Sequence, residues 1–175
     1  LNTAGRGVFS STQQARIRRT KAWRADPTDF VRRLAIEIRA LEKRAIRMGL
    51  KPAVRLNGTS DIAWELTPIM RLFPDVQFYD YTKHVARMYT VLPPNYHLTF
   101  SRSEKNDANV LPLLRAHKQV AVVFAGKTLP TLYRGYRVIA GDRHDARFLD
   151  LCNVVIGLRA KGKAKHDRTG FVVRT

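Results

Sequence analysis

Asn57, Thr59 and Asp61 stand together in the run Arg55-Leu56-Asn57-Gly58-Thr59-Ser60-Asp61, at the end of a strand-like stretch that starts at Ala53. Amide, hydroxyl and carboxylate groups in this order suit phosphate, a sugar or a cation. Asp61 is equally placed to cap a helix whose apolar face starts at Trp64 and Leu66. Asp80, Thr82 and Lys83 follow a second apolar run at 76–79. An acid and a base this close can transfer a proton, orient a substrate or simply pair with each other. Ser101, Arg102 and Glu104 follow a third run, and no histidine and acid complete a nucleophile motif around Ser101. Asp142 follows residues 137–141 in the same way. Beyond residues 154–158, Arg159, Lys161, Lys163 and Lys165 alternate with small residues. If extended, that segment sets its basic groups on one face as a rail for phosphate. With Gly162 in it, an ordinary loop is the alternative.

Other chemistries lack their residues. His84, His97, His117, His144 and His166 show no metal-ligand spacing, and Asp142-Arg143-His144-Asp145 reads as a polar turn with Asp145 capping a short helix. No metal site is expected. Ala125-Gly126-Lys127-Thr128 ends like a phosphate loop but lacks its first glycine. Tyr79, Tyr81, Tyr133 and Tyr136 are available for base stacking or for a core.

These groups share one placement: each follows an apolar, strand-like run. Strands are expected at 53–57, 76–80, 96–101, 120–124, 136–140 and 153–158. Helices are expected at 61–72, near 83–90, near 107–117 and as a turn at 145–151. The spacing suits βα units with parallel strands, whose ligands lie at the strand carboxyl ends. The expected fold is therefore α/β: about six mostly parallel strands alternating with helices, as a partial (β/α) barrel or an open sheet. Asp26-Pro27 opens the clearest helix, and Phe30, Leu34, Ile38, Leu41 and Ala45 recur along it at helical spacing up to Gly49. Residues 1–25 form a basic amino-terminal arm and 26–175 a single domain. Thr12 to Trp23 can form a helix carrying Arg16, Arg18 and Arg19.

The 175 residues are 45% hydrophobic, enough for one folded domain. No membrane span or signal peptide is visible. The lone Cys152 excludes an internal disulfide, sits among apolar residues and reads as buried. Lys and Arg number 32 against 14 Asp and Glu, for a net charge of +18. An excess of this size favours a polyanion, with nucleic acid the leading class and an acidic protein partner the second.

Four stretches together resemble the phage gene-product-88 family: Leu1-Asn2-Thr3-Ala4-Gly5-Arg6-Gly7, Arg55 to Asp61, Phe78-Tyr79-Asp80-Tyr81-Thr82-Lys83, and Gly157 to Lys165. Asp142 and Arg147-Phe148-Leu149-Asp150 add to the likeness. The resemblance implies a protein of phages, prophages and plasmids, working in the cytoplasm of a bacterial host. It also implies a radical-SAM-like barrel, in which relatives carry clustered cysteines just before the segment matching Leu1-Asn2-Thr3. Cys152 alone cannot hold an iron–sulfur cluster. The cluster and S-adenosylmethionine are therefore expected only with an upstream cysteine segment, in a chain that opens on Leu1 and reads as an excerpt or processed product.

Three functions remain open at this stage. The first is a mobile-element protein that binds nucleic acid or another phosphate-rich ligand. Asn57, Thr59, Asp61, Asp80, Lys83, Ser101, Glu104 and Asp142 would then line the site, and Arg16, Arg18, Arg19, Arg159, Lys161, Lys163 and Lys165 would hold the phosphates. The second is a radical-SAM-like enzyme completed by that upstream segment. The third is a non-catalytic basic subunit of a larger assembly.

Overall fold

A computed structural model describes residues 5–174. The Leu1 to Ala4 part of the basic arm and of the first family-like stretch lies outside the described residues.

The chain folds as a mostly parallel α/β sheet with its helices on one face. Helix α1 spans Ser10–Ala25 and α2 spans Pro27–Arg47. Asp26 separates them: its backbone is extended, its carboxylate accepts the Asp29 amide at 2.9 Å, and Pro27 opens α2. At the far end Gly49 takes a φ of 65°, which lets the Leu50 amide reach back to the Ala45 carbonyl at 2.9 Å and close the helix. Ile38 and Ala45 on the apolar stripe of α2 are buried.

The strands are β1 (Ala53–Val54), β2 (Gln77–Thr82), β3 (Tyr96–Ser101), β4 (Val120–Phe124), β5 (Leu132–Tyr133), β6 (Tyr136–Ala140), β7 (Val155–Arg159) and β8 (Val172–Val173). Their order is β1-β2-β3-β4-β7-β6-β5, with β8 also on β4. The path does not close, and β1 and β5 are its edges. All pairings are parallel except β5–β6. That pair is a hairpin turning on Arg134 and Gly135, both with positive φ, as a two-residue turn of this hand requires. β3 pairs with the start of β4 and β8 with its end.

One face of the sheet carries the main core. Phe78, Leu98, Phe100, Val120, Val122, Phe124 and Val155 pack there under α2, the turns at 64–73, and α3 (Val110–Arg115). The other face is smaller, with Tyr81, Ala121, Ile139, Ile156 and Leu158, and the irregular segment 141–154 crosses it. Phe148 of that segment meets Tyr79 at a ring distance of 5.4 Å. Gln119 anchors it by donating from Nε2 to the carbonyls of Arg147, Asp150 and Leu151.

Several local expectations are corrected. Residues 61–72 hold only the 3-10 turn Trp64–Leu66 followed by bends, because Pro68 and Pro74 interrupt helical pairing. Residues near 83–90 form the 3-10 segment Val85–Tyr89. Of 53–57, only Ala53–Val54 pairs as a strand. The expected basic rail is not extended: Gly162–His166 is a 3-10 turn, so Lys163 and Lys165 do not share a strand face with Lys161. Asp145 caps no helix, since its carboxylate binds Arg55 and the Tyr81 hydroxyl. Cys152 is exposed, because the chain turns at Asn153 (φ 57°) and only then enters the sheet at Val155.

Candidate functional site

Three of the nominated residues meet in a buried network at the carboxyl ends of β1 and β2. Asp80 is 1% exposed. Its Oδ1 accepts the Asn57 amide at 2.7 Å, and its Oδ2 accepts Asn57 Nδ2 at 3.3 Å and the Tyr96 hydroxyl at 3.2 Å. Asn57 Oδ1 accepts the Ser60 hydroxyl, the Ile62 amide and the Trp64 indole, at 2.8, 3.0 and 3.1 Å. One amide side chain thus shapes the whole loop. Asp61 accepts the Thr82 hydroxyl at 3.0 Å and the Lys83 amide at 2.8 Å, and pairs with Arg87. Arg87 also grips Glu65 through two parallel bonds of 2.8 and 2.7 Å and donates to the Tyr96 hydroxyl at 3.0 Å.

Burial dominates the electrostatics of this network. It pushes Asp80 up to about 7, against the pull of the Asn57 amide and the Tyr96 hydroxyl. The same burial, with Asp80 beside it, holds the Tyr96 phenol above its ordinary range. The bonds of Asn57 and Asp80 are made internally, so this cluster ties loop 55–61 to β2 and to segment 84–89.

The side chains of the remaining rim residues lie apart from it. Lys83 is exposed, with its ammonium 5.0 Å from the Phe171 ring centre. Ser101 is half-buried at the end of β3, and Glu104 is exposed. Asp142 is clasped by Arg159 (amide and Nη1, both 3.1 Å) and by Lys161 Nζ at 2.8 Å. Those contacts hold its carboxyl below the usual range although partial burial opposes them. Lys163 and Lys165 are exposed on the 3-10 turn. Among the described residues no group of three His, Cys, Asp or Glu side chains converges as a metal site would. Among the described residues no helix is long and apolar enough to cross a membrane.

A groove runs between α1, α2 and loop 54–64 and encloses about 1040 Å³. Arg16, Arg18, Arg19, Arg24, Arg33 and Arg55 line it, against one acid, Glu37. It therefore joins the three nominated arginines of the arm to Thr59, which is exposed at its edge. Arg33 pairs with Asp29 at 2.7 Å, and Arg55 pairs with Asp145 while lying over the Tyr81 ring. Among the described residues Arg18, Arg19 and Arg24 form no ion pair. Trp23 fixes the groove by packing α1 onto α2, with ring distances of 5.7 Å to Phe30 and 4.9 Å to Trp64.

The family model described as gene product 88 matches residues 1–175, the whole chain. The chain belongs to the gene product 88 family. No curated protein and no solved structure matches it. For this gene product 88 member the geometry adds what sequence reading missed. Arg24, Arg33 and Arg55 belong with Arg16, Arg18 and Arg19. Arg16, Arg19 and Trp23 already stood at helical spacing, a signal that α1 has one face. That this face turns toward α2 and loop 54–64 depends on the bend at Asp26.

Proposed function

We propose that this protein binds nucleic acid through its phosphates, and that the groove between α1, α2 and loop 54–64 is the contact surface. One observation carries the reading: six arginines and one acid line a single open groove. Guanidinium groups are suited to bidentate phosphate contacts, and three of these have no ion pair among the described residues to give up. The net charge of +18 draws polyanions toward that surface. The buried Asn57–Asp80–Tyr96 network supports one wall by fixing the loop that presents Arg55 and Thr59.

The test is a salt titration of anisotropy with labelled single-stranded and duplex oligonucleotides. Each phosphate contact contributes a slope of about −0.7 for single strands and about −0.9 for duplex in log K against log salt. Three to six contacts thus predict a single-strand slope of roughly −2 to −4. Absence of binding to either form at low salt rules the reading out.

A further inference from the structure

The groove is not basic throughout. On α1, Arg16, Arg19, Thr20 and Trp23 form one stripe at spacings of three, four and seven residues. On α2 the stripe facing it is Phe30, Arg33, Leu34, Glu37, Ile38 and Leu41. The arginines share the groove with Trp23, Leu34, Val54 and Leu56, all half-buried, and with Leu41, which is 40% exposed. The two tryptophans also differ. Trp64 is 3% exposed and its indole N–H is bound to Asn57. Trp23 reaches the groove, and its indole N–H has no hydrogen bond among the described residues, an uncommon state for a ring packed on two others.

We propose that the groove takes single-stranded nucleic acid, with bases lying on Trp23 and its apolar neighbours and phosphates on the arginines that line it. This rests on the nucleic-acid reading and narrows it. A duplex hides its base faces and would engage the arginines alone, leaving the apolar residues wet. A single strand offers unstacked bases to an aromatic platform and phosphates to the cations around it, the arrangement that sequence-tolerant single-strand binders use. At about 1040 Å³ the groove stands at the upper end of the roughly 300–1,000 Å³ range of small-ligand clefts.

The experiment compares three probes of equal length at one low salt concentration. They are a thymidine oligomer, an abasic deoxyribose-phosphate chain and a duplex. The thymidine oligomer should quench tryptophan emission and bind at least about tenfold more tightly than the abasic chain, the effect of one stacked base. Trp23→Phe should remove most of the quench, because Trp64, although it borders the groove, is 3% exposed and its indole N–H is held by Asn57. That variant keeps an aromatic ring against Phe30 and Trp64, and if it does not fold, the probes decide on the unmodified protein. Equal affinity for the thymidine and abasic chains overturns the single-strand assignment and leaves the basic groove standing, as would be expected of a surface built for an acidic protein segment. Failure of all three probes to bind removes the nucleic-acid reading itself.

Discussion

At the scale of single residues, buried amides and acids organise the loops around the sheet. Asn57 holds its own loop, Asn95 Nδ2 donates to the carbonyls of Met70, Phe73 and Val76, and Gln119 pins segment 147–151. Each adds side-chain bonds to backbone groups in the turns and loops between strands. Asp80 is the one in this set that titrates. Burial raises its folded pKa to about 7 from 3.8, so its contribution to stability is full below pH 4 and is lost as pH rises to 7. His97, held neutral by burial beside Gln119, has the opposite sign: its contribution is present above pH 6.5 and lost on acidification. The clean measurement is therefore a difference. Between pH 5 and pH 8, Asp80→Asn should gain on the order of 2 kcal/mol relative to the parent in urea unfolding. A constant difference across that range would show that Asp80 stays ionised in the fold.

At the scale of elements, β8 is a short strand held by a side chain. Arg102 is buried just past β3, where it donates to the Gly170 and Phe171 carbonyls and pairs with Asp107 at 2.7 Å. Asp107 in turn pairs with Arg134 at the tip of the β5–β6 hairpin. One carboxylate thus links the β3 end, β8 and the hairpin, and both arginines keep its pKa low against partial burial. Arg102→Ala should cost about 1–3 kcal/mol by leaving carbonyls and Asp107 short of donors. Hydrogen exchange at the Ala125 amide, which donates to Val173 at 2.8 Å, should accelerate more than exchange in β2. Uniform acceleration would mean that β8 is held by its ladder and not by Arg102. The β5–β6 hairpin itself was not legible, since Arg134-Gly135 is a weaker turn signal than Asn-Gly.

At the scale of the whole molecule, two of the nominated groups of cations lie apart on one sheet. The arginines of the groove flank β1, and Lys163 and Lys165 follow β7, four strand spacings away along the path. Arg159 and Lys161, between them in sequence, share the one carboxylate of Asp142. Arg18→Glu with Arg19→Glu should therefore weaken oligonucleotide binding more than about tenfold, and Lys163→Glu with Lys165→Glu by less than about threefold. Both pairs lower the net charge equally, so equal losses in anisotropy titrations would point to general attraction and not to a groove.

The sequence alone determined what depends on neighbours along the chain. The α2 cap at Asp26 and its stop at Gly49 were legible, because a cap and a left-handed turn are local chemistry. So were the alternation of strands with connecting segments, the parallel sheet and the basic excess. Tertiary structure decided what depends on residues far apart. Asn57 and Asp80 read as ligand groups until packing buried them against each other and Tyr96. Arg159 and Lys161 read as free cations until Asp142 from another strand end met them. Arg16, Arg18 and Arg19 became one wall of a groove only when α1 folded at Asp26 and brought them opposite Arg33 and Arg55. The physical reason is the same in each case: a side chain's type sets what it can bind, and only its folded surroundings set whether water, a ligand or another part of the chain has already taken it.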